Sequence, residues 1–162
     1  MAESDQRRET QRVCRCHNRN MAIDPRNGAE MLTEDACWEH LEREELGRLA
    51  VSVAGRPDIF PINYVTADRA IYLRSAEGSK LVSVVINEWV AFEIDGYVPE
   101  DNHAWSVVVH GRAELVDNHD LEDYVESLPL FPWNTAPKNR FIKIEVSELS
   151  GRSFVAEGHD HP

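Results

Sequence analysis

Apolar residues recur at every second position over much of this chain, and at every third or fourth position over a smaller part. Segment 48–54 sets Leu49, Val51 and Val53 on one side and Ala50, Ser52 and Ala54 on the other, the period of a strand. Segment 59–66 is β-branched and aromatic but contains Pro61, and 70–75 is a third short strand. A turn over 54–58 and another around Asp68 join these three into a meander. Alternation returns over 89–97, with Val90, Phe92 and Ile94 on one face. It runs longest over 104–116, where Trp105, Val107, Val109, Ala113 and Leu115 point one way. Gly111 inside that run predicts a bulge or the close approach of another backbone. Segment 140–146 is the last strand.

Helical spacing is confined to the connections. Thr33 followed by Glu34 and Asp35 is an N-cap with acids in the first turn, so a helix is predicted over 34–46, burying Cys37, Trp38 and Leu41 and ended by Gly47. Leu81, Val84 and Val85 predict a second helix over 78–87. Leu121, Tyr124, Val125 and Leu128 predict a third, and Pro129, Pro132 and Pro137 make the next stretch a loop. The fold class is mainly β with short helices: six antiparallel strands closed into a small barrel.

With 162 residues the chain has room for one domain and an extension. Its net charge of −12 argues against a general nucleic-acid or anionic-membrane binder, since both need a cationic footprint. The charge is uneven. Residues 1–30 carry six arginines and five acids with few large apolar side chains, and read as a flexible Arg-rich extension. Residues 31–154 form the predicted domain, and 155–162 a disordered tail. Glu3, Asp5 and Glu9 argue against a mitochondrial address, and no stretch suits a signal peptide or membrane span, so the expected location is the cytoplasm.

Cys14, Cys16 and Cys37 do not make a secreted disulfide framework. The seven histidines show no metal-ligand spacing within a structured element, so no metal site is expected. No nucleophile elbow or phosphate-binding glycine loop is present, and no catalytic residue can be named.

Three segments carry candidate chemistry. In 58–64, Pro61 removes a ladder donor, which interrupts pairing or marks an edge and leaves nearby backbone groups to bond a flat heterocycle. Asn63 could add a donor and acceptor and Tyr64 a ring, or the segment could be an edge strand with aromatic core neighbours. In 73–80, Arg74 and Ser75 end a strand while Ser79 and Lys80 open a helix, a grouping that suits a phosphate or, equally, ordinary capping with surface cations. In 104–112, Trp105 and Ser106 point to opposite faces, which favours Trp105 as core or interface.

In this order the segments resemble the pyridoxamine 5′-phosphate oxidase-like family of flavin-binding split β-barrels. The matching stretches are Gly47-Arg48-Leu49-Ala50, 57–64, Arg74-Ser75-Ala76-Glu77-Gly78-Ser79-Lys80, 90–95 and 105–111. The resemblance implies a homodimer with a flavin at each end of the subunit interface. It implies that Arg74, Ser75, Ser79 and Lys80 hold phosphate and that Pro61, Ile62, Asn63 and Tyr64 line the ring. Trp105, Trp133 and Arg140 are candidates to complete the pocket from the partner subunit. The implied activity is an FMN-dependent oxidoreductase acting on a small molecule. That molecule is not expected to be pyridoxamine phosphate, because the chain lacks the Arg- and Trp-rich ending of the vitamin B6 oxidases and closes on Gly151-Arg152-Ser153-Phe154 and an acidic tail. A deazaflavin-dependent reductase on the same fold, or a non-catalytic binder of flavin or of haem through His103 or His110, are the alternatives. A structural barrel with an empty pocket is the remaining one.

Overall fold

The computed structural model describes residues 22–25, 27–75, 81, 88–117, 123–124, 127–128 and 140–155. In chain order the elements are β1 (Glu30–Met31), α1 (Glu34–Arg43), β2 (Leu46–Val53), β3 (Arg56–Ala67), β4 (Ala70–Ser75), β5 (Glu88–Val98), β6 (His103–Leu115) and β7 (Arg140–Val155). A short 3-10 turn, Pro99–Asp101, joins β5 to β6. Strands β7, β4, β3, β2, β5 and β6 follow one another in antiparallel pairs, and β6 pairs again with β7. That last pairing closes a six-stranded antiparallel barrel, as the alternation leads one to expect; the family resemblance adds that such barrels are split. The two-residue β1 is added outside the ring, pairing Glu30 with Ser153 and Met31 with Arg152.

The barrel interior is filled by the predicted alternating residues. Leu49, Val51, Val90, Phe92, Ile94, Trp105, Val107, Val109 and Ala113 share one buried cluster with Cys37, Trp38 and Leu41 of α1. Val53 is the exception: it lies beside the Ala54–Gly55 turn and is exposed. Thr33 caps α1 as expected, its Oγ1 accepting from the Ala36 amide at 3.2 Å. The helix stops at Arg43 rather than at Gly47. Gly47 instead lies inside β2, where a Cβ would overlap the Phe92 ring. Its small size makes room for an aromatic of the neighbouring strand β5; it does not supply a helix cap.

Strand ends lie further out than the alternation predicts. The turn expected over 54–58 shrinks to Ala54 and Gly55, both at positive φ, and Arg56 and Pro57 are already paired with Val53 and Ser52. Strand β7 runs on from 146 to Val155, because its second half pairs with β6 after its first half pairs with β4. Gly111 stands opposite a bulge in β7 and at a close approach of its backbone. The β6–β7 register shifts between His110 and Gly111, and a Cβ at Gly111 would overlap the Glu145 carbonyl. The extra residue, Ser147, donates its hydroxyl to the His110 carbonyl at 2.9 Å.

Part of the expected extension carries structure. Ile23 bridges to Glu30, and Asp24 and Ala29 are buried where a turn feeds β1. Outside the barrel a second apolar cluster gathers Ala70, Tyr72, Val116 and Phe141, with Leu128 packed against it. The helices expected over 78–87 and around 121–128 lie mostly outside the described residues; Leu81 is buried against the barrel core and Tyr124 donates its hydroxyl to Asp68 at 3.3 Å.

Candidate functional site

Strand β3 has a backbone edge that no other described strand uses. It pairs with β2 from Arg56 to Asn63 and with β4 from Tyr64 to Ala67. Among the described residues no strand pairs its other edge over 56–63. The Tyr64 amide donates to the Glu45 carbonyl at 3.1 Å, on the β2 side. In an antiparallel ladder the amide direction alternates. The even-numbered residues of this stretch therefore direct their amides to β2, while Pro57, Ile59, Pro61 and Asn63 face the open edge. The Ile59 amide finds Asp58 Oδ1 at 3.1 Å instead of a strand. Pro61 thus sits where a missing N–H costs the ladder nothing, and β3 runs through it unbroken, opposite Arg48.

The same alternation divides the four residues read as lining a ring. Pro61 and Asn63 face out of the barrel; Ile62 and Tyr64 face in, Ile62 packing on the main core and Tyr64 buried within it. The Tyr64 ring meets Phe92 edge-on at 4.8 Å, and its hydroxyl donates to the Leu41 carbonyl at 2.8 Å. Burial, with a smaller contribution from the Glu44 charge, pushes that phenol well above its ordinary range. Asn63 Nδ2 donates to the Glu45 carbonyl at 3.2 Å.

Arg74 and Ser75 also part company. Arg74 lies on the outer face, its guanidinium 5.3 Å from the centre of the Phe141 ring. The β3–β4 register carries Asn63 towards it, one position beyond the Tyr64–Leu73 pair. Ser75 is buried and stands opposite Arg140 across the β4–β7 ladder. The outer group is therefore Pro61, Asn63, Arg74 and Phe141, and the pair Ser75–Arg140 lies beside it at the strand ends. Ser79, Lys80 and Trp133 lie outside the described residues. Trp105 is not part of this group: it is buried, stacked on His40 at 4.0 Å, with Gly96 making room for its indole. His110 is exposed on the outer face, and half-buried His103 lines a cleft with Phe154 and Val155.

Residues 33–153 match the model of the pyridoxamine 5′-phosphate oxidase family. The chain belongs to this family. A candidate pyridoxamine 5′-phosphate oxidase of Corynebacterium glutamicum is 36% identical, with a TM-score of 0.73 over 88% of this chain and 100% of its own. An FAD-binding protein of Mycobacterium smegmatis is 33% identical, with a TM-score of 0.69 over 76% of this chain and 97% of its own. An FAD-binding protein of Mesorhizobium loti is 27% identical, with a TM-score of 0.62 over 78% and 98%.

Two neighbours of the candidate group are not singled out by the sequence as candidate site residues. Phe141 supports Arg74, and its one local signal is an aromatic at the start of the last strand. Arg48, opposite Pro61, is bonded to Glu93 at 3.0 Å and to Asp95. Those two carboxylates, Asp95 foremost, raise its pKa and keep it ionised. Pairing across β2 and β5 brings the three together, which no local spacing could announce.

Proposed function

We propose that this protein binds a flavin along the open edge of β3 and acts as a flavin-dependent oxidoreductase on a small molecule other than pyridoxamine phosphate. The observation that carries the reading is the 33% identity to the FAD-binding protein of Mycobacterium smegmatis over nearly the whole of that chain. Two FAD-binding relatives favour FAD as the bound form; FMN and a deazaflavin are the forms to compare with it.

The residues fit such a group. A planar ring has a backbone edge at 59–63 to bond and the outward Pro61 and Asn63 to lie against. Arg74 on Phe141, with Ser75 and Arg140, supplies cations and a hydroxyl for a phosphate, and Ser79 and Lys80 come next in sequence. Tyr64 and Ile62 fit only as support, because both side chains face the core. A bound flavin supplies hydride or single-electron transfer. The chain's part is then to orient the ring, hold the phosphate and set the charge beside both.

A second copy of the chain completes the site. The outer face beside Pro61 supports this: Ile59 and Trp89 are exposed there, with small Ala50 and Ala91 between them. Light scattering of the purified protein should give twice the chain mass.

The test of the flavin is the visible absorption spectrum before and after denaturation, followed by titration with FAD, FMN and a deazaflavin. A flavin released on unfolding, or tight uptake of FAD, is the expected result. No chromophore and no spectral change with any of the three would overturn the proposal. A Soret band would instead turn attention to His103, whose cleft with Phe154 and Val155 measures about 580 Å³. Oxidation of a reduced nicotinamide by the loaded protein separates an enzyme from a binder.

A further inference from the structure

Helix α1 ends on carbonyls that need donors. The last turn of a helix leaves its C=O groups without intrahelical partners. The His40 carbonyl takes the Glu44 amide at 3.3 Å. The Leu41 carbonyl takes the Tyr64 hydroxyl at 2.8 Å. The Glu45 carbonyl, just past the helix, takes the Tyr64 amide at 3.1 Å and Asn63 Nδ2 at 3.2 Å. Two consecutive residues of β3 thus hold the α1–β2 connection by three hydrogen bonds. They stand where β3 leaves β2 and passes to β4, and directly after the stretch whose other edge is open.

We propose that Tyr64 is a positioning residue for the ligand edge of β3: it touches no ligand, and fixes the backbone of 59–63 by fastening the strand to the C-terminal end of α1. This rests on the reading of that edge as the flavin site. The hydroxyl is suited to the task. It is buried with Tyr64 at 3% exposure, and the ring cannot swing away because Phe92 abuts it. The Phe92 ring is itself seated on Gly47 of β2. The strand therefore has one permitted height relative to the helix. Without the hydroxyl the Leu41 carbonyl is left buried and unpaired, and the cheapest relief is for strand and helix end to part and admit water. That motion would shift the edge a ring lies on.

By reciprocity, what α1 does for the ligand the ligand must do for α1. The experiment uses the full chain and FAD. Tyr64→Phe keeps the ring and removes only the hydroxyl; Tyr97→Phe removes an exposed hydroxyl bonded to Asn102 at 2.7 Å and serves as the matched control. Tyr64→Phe should weaken FAD binding by roughly 5- to 20-fold, the range of a modest coupling. It should also change the visible circular dichroism of the bound flavin, while Tyr97→Phe does neither. A purely structural role would lower the melting temperature and leave affinity and dichroism as in the wild type, and that result would overturn the proposal. Should Tyr64→Phe fail to fold, hydrogen exchange on the wild type decides. FAD should slow exchange of the amides at 44–46 and 64; FAD bound with no such slowing would overturn the role. A wild type that takes up no flavin would sink the flavin reading first and this role with it.

Discussion

Strands β3 and β5 flank β2 on opposite sides and have almost the same length, yet the chain uses them differently. Strand β5 pairs with β6 without interruption, from Glu88–Ala113 to Val98–His103, and with β2 at its centre. Val90, Phe92 and Ile94 are all buried. Strand β3 divides its length between β2 and β4 and buries only Tyr64. In β5 the whole edge towards β6 and the side chains of Val90, Phe92 and Ile94 are consumed by the fold. In β3 a stretch of backbone edge and an outward row of side chains remain for other use, and two prolines guard that edge from pairing with another strand. The contrast separates residues that hold the barrel from residues that can serve a ligand.

The sharpest break would come on the closed side. Gly111→Val pushes a branched side chain into the Glu145 backbone carbonyl, which cannot rotate away as a side-chain tip can. Loss of soluble folded protein is expected, read by far-UV circular dichroism. Phe92→Ala comes next. It empties a fully buried site between Gly47 and Tyr64, at a cost of about 3–5 kcal/mol in denaturant unfolding. Arg56→Ala, exposed where β3 begins, should stay within about 0.5 kcal/mol. Equal costs at the two positions would erase the distinction between the strands.

The closed side is also the more legible in the sequence. Strict alternation in 89–97 and 104–116 names the buried residues, because one face of each strand meets only core. The Thr33 cap and the Cys37–Trp38–Leu41 face of α1 come from local chemistry alone. Gly111 announces the bulge opposite it. Gly47 misleads: a glycine after a helical run reads as a cap, and only the pairing of Leu49 with Phe92 across β2 and β5 shows why it is small. The site is legible as segments and not as a surface. Pro61 and Asn63 can be picked out as edge chemistry, but Ile62 and Tyr64 alternate to the other face, and Arg74 and Ser75 separate likewise. Arg48 and Phe141 join through pairings far apart in sequence.

Pro61→Ala asks whether the open edge is open. If the Pro61 position faced β2, restoring an N–H would add a ladder bond and stabilise the barrel. Facing outward, the new amide gains only water, and the unfolded chain gains freedom. The expected result is a small loss, about 0.4–1 kcal/mol, in the same unfolding assay. A gain in stability would reverse the assignment of the β3 amides.

A last test sharpens the comparison from the closed side, through pH. Cys37 on α1 is 1% exposed, and Gly151 of β7 makes room for its sulfur. Burial, helped by the Glu34 charge, pushes the thiol up from 9.0 to about 11. The folded state therefore keeps its proton to higher pH than the unfolded chain does. Between those values the native protein binds more protons than the unfolded one, so stability falls as pH rises. The contribution is complete below pH 9 and lost by about pH 11. Unfolding midpoints should decline over this window in the wild type and decline less in Cys37→Ala. The raised tyrosines Tyr64 and Tyr72 leave part of the decline in the variant. The same burial makes Cys37 slow to react. In a Cys14→Ser, Cys16→Ser background, a thiol reagent at pH 8 should label the remaining cysteine only once denaturant is added. Rapid labelling without denaturant would mean that α1 lifts from the barrel, and the closed side would then be no more closed than the edge of β3.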